Sequence, residues 1–338
     1  MQALILQQPG QLVLTDTTPP GKPGPGEALV RVRRVGICGT DLHAYRGNQP
    51  FFQYPRILGH ELGVEVVQVG AHDEAIRPGD RCAVEPYLNC GTCSTCRRGK
   101  TNCCPNLRVL GVHTDGGMRE YITVPVEKLH RSDALSLERL ALVEMLSIGA
   151  HAVRRAEIAP GETALVVGAG PIGLSVATFA RLAGAQVVLL ERSESRLQFC
   201  LEKLGFEHAI LANDDAIPNI RSHFGGDLPA VVFEATGNAH AMMRAFEYVT
   251  HGGRLILVGL VQGEISFHDP DFHRRELTLL SSRNATATDF REVIRALEQK
   301  VIDLTPWISV TLPLARAAEA FPAWLDPANG TVKAMLTM

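Results

Sequence analysis

Residues Thr163 to Glu191 read as a strand, a tight turn, a helix and a second strand, and the rest of the chain is organised around that unit. Thr163 to Val167 is a short β-branched apolar run, as a buried parallel strand requires. It runs into Gly168-Ala169-Gly170-Pro171-Ile172-Gly173, which fits G-x-G-x-x-G. In that pattern Gly168 permits the turn, Gly170 lets a pyrophosphate approach the backbone, and Gly173 lets the helix pack on the strand. Pro171 suits the first turn of a helix, where a missing amide hydrogen matters little. The spacing predicts a helix to Leu182 or Ala183, with Gly184 as its C-terminal cap. Gln186 to Leu190 is a second buried strand ended by Glu191, 18 residues past Gly173. A carboxylate there can accept both adenosine ribose hydroxyls. A plain strand-turn-helix would also use glycines, but two flanking strands and the placed acid favour a dinucleotide site. The acid favours NAD, since it would repel a 2′-phosphate, although the adjacent Arg192 could hold one.

At 338 residues two domains are expected. The chain is 46% hydrophobic and 20% charged, and its net charge of −3 offers no basic footprint for nucleic acid. Ala164 to Ala180 is uncharged, but the glycine turn and Pro171 break it, so no membrane span is expected. No signal segment precedes the first strand-like residues, and eight cysteines then point to metal or redox chemistry in a reducing, cytoplasmic setting.

Along the chain, residues 1 to about 35 read as β structure, with Ala28 to Arg33 alternating apolar and charged. Cys38 follows in Gly36-Ile37-Cys38-Gly39-Thr40-Asp41-Leu42-His43. A Pro/Phe-rich loop carrying Phe51 leads to Gly59-His60-Glu61 and a strand from Val64 to Val69. Cys38, His60 and Glu61 are zinc-ligand types, although alone they could be a buried thiol, a satisfied histidine and a surface acid. The spacing Cys90-x2-Cys93-x2-Cys96-x7-Cys104, in a lobe with nothing apolar to bury, predicts a closed four-thiolate zinc site. Cys103 could replace Cys104 there. Cys82 and Cys200 read as small core residues. A single helix is expected from about Leu137 to Ala156, and Glu144 in its apolar part is either a costly buried charge or a metal ligand. After Glu191, strands follow at Ala209 to Leu211, Ala230 to Glu234, Arg254 to Val258 ending at Gly259, and Glu276 to Leu280 ending at Ser281-Ser282-Arg283, giving six strands counted from Thr163. Arg196, Thr236, Val258, Gly259 and Ser282 join Ile172 as cofactor candidates at the carboxyl ends of that sheet. A helix is expected over 289–300, then a tail punctuated by Pro306, Pro313 and Pro322 that closes in a strand from Val332.

Taken together, Gly36 to Asp41, Gly59-His60-Glu61, the four-cysteine lobe, Glu144 and Gly168 to Gly173 resemble the zinc-dependent medium-chain dehydrogenases. The likeness is to their sorbitol, threonine and galactitol dehydrogenase branch and covers nearly the whole chain. It implies an α/β molecule: a split GroES-like β-rich catalytic domain from residues 1–150, with the zinc lobe at 90–104. A doubly wound Rossmann domain with a parallel sheet then spans 151–288, and residues 289–338 return to the catalytic domain. It implies two zinc ions per chain, one structural and one catalytic, with NAD as cofactor. Cys38, His60 and Glu144 would hold the catalytic zinc, with Glu61 a further ligand or one acting through water. Thr40 and His43 would relay the substrate proton. Met145 and Val64 depart from the branch, which has proline and glycine at those places.

The expected substrate is a small polyhydroxylated molecule. Within the branch, the local likeness at Gly47 to Phe52, Gly111 to His113 and Ser282 to Thr286 implies an L-galactonate-like aldonate, for which Arg283 would be the carboxylate partner and Asn48, His113 and Asn284 further substrate candidates. Polyol or threonine oxidation is the rival chemistry, and a zinc- and NAD-binding redox sensor the rival without catalysis. A homodimer or homotetramer is expected, with neither nucleic acid nor membrane as partner.

Overall fold

Side-chain alternation along Glu27–Gly36 explains the larger sheet: Ala28, Val30 and Val32 are buried between the more exposed Glu27, Leu29, Arg31 and Arg33. The computed structural model describes residues 1–50, 52–71, 75–326 and 329–338, so Phe51 lies outside them. Two units form, Met1–Met145 with Ala285–Met338, and Leu146–Asn284.

The first unit holds a seven-stranded sheet in the order Leu129–Arg131, Arg81–Val84, Glu61–Val69, Glu27–Gly36, Lys333–Thr337, Ile308–Pro313, with Tyr121–Pro125 also on Glu27–Gly36. Its core is apolar, built on Val30, Val35, Leu62, Val64, Met118, Ile122 and Phe321. Each such side chain, fully buried, contributes about 1.5–3 kcal/mol. The register sets Gly36 opposite Glu61, and a Cβ on Gly36 would lie 2.1 Å from the Glu61 carboxylate. Only glycine leaves that carboxylate its place. The last strand pairs Met335 with Gly36, which carries Lys333 back to the same region.

The second unit is a six-stranded sheet in the order His208–Leu211, Gln186–Glu191, Thr163–Val167, Val231–Glu234, Arg254–Leu257, Thr278–Ser281. Every pairing is parallel, which gives the doubly wound 3-2-1-4-5-6 arrangement. Leu165, Val188, Leu190, Val232 and Leu255 fill its core. The helix Pro171–Leu182 follows the first strand, and Gly184 ends it at φ 88°.

Some elements differ from expectation. The single helix over 137–156 is two, Leu137–Ala141 and Val143–Ala156, because the Leu142 N–H turns to Arg139, three residues back. No glycine or proline marks that break. Cys38 is the N-cap of a helix that the sequence did not mark, Gly39–Arg46, whose Asp41 carboxylate accepts the Cys38 N–H at 2.9 Å. The proline-punctuated tail contains a strand, Ile308–Pro313, and a helix, Ala317–Trp324, with Pro322 inside it. Among the described residues no helix is long and apolar enough to cross a membrane.

Candidate functional site

In the second unit, the three glycines of the loop meet three different surroundings. Gly168 has φ 97°, and a Cβ there would sit 2.8 Å from the Thr236 methyl. A Cβ on Gly173 would lie 1.8 Å from the Gly168 carbonyl oxygen, so helix and strand touch through hydrogen alone. Gly170 caps the helix, and a Cβ there would meet only Arg196 Nη1 at 3.6 Å. That is open space at a helix N-terminus, where amide groups suit an anion. Arg196 Nη1 also donates to the Ala169 carbonyl at 3.3 Å. Glu191 accepts from Ala169 N at 2.7 Å through Oε2, and from Arg192 N and Ser193 N through Oε1. The carboxylate is thereby fixed at the mouth of the loop, whereas the Arg192 side chain is exposed. Thr236 N and Oγ1 donate to buried Glu234, while the Val258 and Gly259 amides bond its backbone carbonyl. Ser282 Oγ and Glu234 Oε2 are buried without a hydrogen-bond partner among the described residues. These donors and the open loop fit a dinucleotide.

The four-cysteine lobe brings Cys90, Cys93, Cys96 and Cys104 together with all four sulfurs within 4.8 Å of one another. Cys104 Sγ lies 3.5 Å from Cys90 Sγ and 3.8 Å from Cys93 Sγ. Four thiolates 2.3 Å from one zinc stand about 3.8 Å apart, so the cage has the right size. Cys104 is buried and Cys103 exposed, which makes Cys104 the fourth member. The Thr92 and Cys93 amides draw the Cys90 thiol down to about 5. Burial and Cys93 push Cys96 up to about 11, so a cation is needed to hold all four as thiolates.

The mixed donor set lies in the first unit. His60 is hydrogen-bonded to Cys38, and its Nδ1 faces Asp41 Oδ1 at 3.8 Å. Burial alone would lower its pKa, but Cys38 and Asp41 outweigh burial and hold it well above 6.5. Glu144 is buried, which raises it to about 6, and it feels the charges of His60, Glu61 and Lys333. Asp41, Glu61 and Glu144 are all buried, with Lys333 as the lysine beside them. Such an excess of negative charge fits a divalent cation. The three expected ligands share this pocket without closing: among the described residues only the four cysteines bring three or more ligand atoms within 4.8 Å. Glu144 instead accepts the Tyr87 hydroxyl. Both oxygens of Glu61 accept from Lys333 Nζ, at 2.7 and 2.8 Å, so Glu61 is held in a buried ion pair.

Thr40 stands in the first turn of Gly39–Arg46, and His43 is exposed one turn on. Its Nδ1 is 3.1 Å from Asn48 Oδ1, so Asn48 is placed on His43. His113 Nδ1 accepts from Val109 N at 3.1 Å and closes its own loop. Arg283 is exposed after the strand Thr278–Ser281; Asn284, at φ 54°, buries an Nδ2 without a partner among the described residues. Asp41, Tyr87 and Lys333 escaped sequence reading. Asp41 at the third position of a helix, and a lysine within an apolar strand, were the available signals.

Residues 24–134 match the family model for the alcohol dehydrogenase GroES-like domain, and residues 171–299 that for zinc-binding dehydrogenase. The chain is 43% identical to the L-galactonate-5-dehydrogenase of Escherichia coli K12, over 100% of this chain and 99% of that one. A short chain alcohol dehydrogenase of E. coli CFT073, solved with NADH, superposes at a TM-score of 0.93 with 30% identity, covering 100% and 99% of the two chains. A zinc-binding dehydrogenase of Sinorhizobium meliloti 1021, bound to NADP, does so at 0.91 with 31% identity and the same coverage.

Proposed function

The chain belongs to the zinc-dependent medium-chain alcohol dehydrogenases, and we propose that it moves a hydride between NAD and a secondary alcohol of an L-galactonate-like sugar acid. The observation that carries the substrate is the 43% identity along the whole chain to an L-galactonate-5-dehydrogenase. A carboxylate leaving water needs a charge-assisted partner, and Arg283 offers paired donors beside Asn284 and its buried amide nitrogen. Glu191, fixed by three backbone amides, supports NAD over NADP.

Cys38, His60 and Glu144 would hold the catalytic zinc, and the four cysteines the structural one. Zinc, when bound, supplies Lewis acidity toward a hydroxyl, and NAD supplies the hydride acceptor. Thr40 takes the hydroxyl proton and His43 passes it to solvent; with Nδ1 on Asn48, the basic atom of His43 is Nε2. Glu61 and Lys333 balance charge behind the ligands. A homo-oligomer is part of this reading, checked by light scattering, and the eight unbridged cysteines suit the cytoplasm.

The test is kcat/KM with NAD and NADP on L-galactonate, galactitol, sorbitol and threonine, repeated with Arg283→Ala. Loss of the charge-assisted bond should cost about ten- to a hundredfold on the acid alone. Faster turnover of a polyol or of threonine by the parent protein would replace the aldonate. Equal losses on acid and polyol would move Arg283 to the cofactor.

A further inference from the structure

Residues 85–89 place three polar side chains at alternate positions of one extended stretch, and each reaches a charged or sulfur partner. Glu85, 1% exposed, accepts from Lys128 Nζ at 2.6 Å and faces His130 Nε2 at 3.1 Å. Tyr87 donates its hydroxyl to Glu144. Asn89 donates to Cys96 Sγ at 3.7 Å and accepts from the same Lys128 at 2.7 Å. Phe290 closes the group, stacked on His130 at 4.8 Å and edge-on to Tyr87 at 6.2 Å. The stretch is also held from outside, through the pairing of Tyr87 and Leu88 with Val109 and Arg108.

Apolar residues would suffice if this segment served packing alone, since a buried polar network is costly unless every member is satisfied. Its members meet the lobe at one end and a metal-ligand candidate in the middle. With one Glu144 oxygen on the tyrosine, the other is left for a cation, so the phenol selects the donor atom. We propose that residues 85–89 are a rigid link in which Tyr87 positions Glu144 and Asn89 couples that position to the four-thiolate lobe. The link rests on the reading of Cys38, His60 and Glu144 as zinc ligands.

The experiment uses the full-length protein with zinc in the lobe and cobalt at the mixed site, read by visible absorption, cobalt titration and zinc content. Tyr87→Phe should weaken cobalt binding about ten- to a hundredfold, as loss of a group orienting a ligand does, and should shift the cobalt bands while lobe zinc stays bound. Asn89→Ala should shift the same bands although Asn89 bonds the lobe and not Glu144. Lys128→Met removes the anchor without touching a sulfur and should do likewise, which covers the case in which Asn89→Ala loses lobe zinc. Bands and affinity unchanged in Tyr87→Phe would overturn the positioning role. Bands that move in Tyr87→Phe but in neither Asn89→Ala nor Lys128→Met would overturn the coupling. Cys38→Ser separates the two levels: cobalt bands that survive in it sink the zinc-ligand reading itself, whereas their loss keeps that reading and leaves the link to stand or fall on the other variants.

Discussion

Lys333 is the charge on which the mixed donor set leans. Its Nζ donates to both Glu61 oxygens and to the Ile37 carbonyl at 2.9 Å, and it is 1% exposed. Removing one partner of a buried ion pair strands the other charge, at a cost of about 3–5 kcal/mol. Lys333→Met should lower the unfolding free energy by that amount in urea titration, and adding Glu61→Gln should restore much of it. If the double variant is as unstable as the single one, packing and not charge explains the lysine. The pair also shows where sequence reading stops. Ligand types at Cys38, His60 and Glu144 were legible from residue chemistry, but Glu61 was left between ligand and helper. Its partner stands 272 residues away, and only the closing strand of the sheet delivers it.

At the scale of elements, the glycine loop makes a prediction that separates folding from binding. Gly173→Ala would set a methyl 1.8 Å from a backbone oxygen, so the helix must move off the strand. Gly170→Ala has room in the protein, 3.6 Å from one arginine nitrogen, and an ordinary φ of −73°. The first should lower Tm by several degrees, on the scale of 2–4 °C per kcal/mol, with or without cofactor. The second should leave Tm alone and raise KM for NAD at least tenfold, since the methyl occupies the space kept for pyrophosphate. Equal Tm losses in both would mean that the space at Gly170 is structural. This loop was legible because its signals are local: β-branched runs, glycine spacing and an acid at the strand end. The four-cysteine lobe was legible for the same reason. The tail was not. The helix Ala317–Trp324 carries Pro322 and is held by burying Phe321 and Ala317 in the first unit's core, a contact no local pattern reveals. The break at Leu142 likewise has no local marker.

For the whole molecule, each unit has its own apolar core, Val30, Leu62 and Phe321 in one and Leu165, Val188 and Val232 in the other. The expected metal ligands all fall in Met1–Met145, and the glycine loop with Glu191 in Leu146–Asn284. Metal loading and cofactor affinity should therefore be separable, since the ligand residues and the glycine loop are carried by different units. Cys38→Ser should lose one zinc equivalent and all turnover, yet bind NADH within about threefold of the parent, a change well under 1.4 kcal/mol. Cys93→Ser should instead lose the lobe's zinc and lower Tm, because a closed thiolate cage contributes directly to folding. Chelation that empties the lobe should reproduce the fall in Tm. Zinc content, NADH fluorescence titration and thermal melts on the same preparations decide the matter. Should Cys38→Ser abolish NADH binding while its melt stays unchanged, the division between a metal-holding unit and a cofactor-holding unit is wrong, and the cofactor must draw on groups from both.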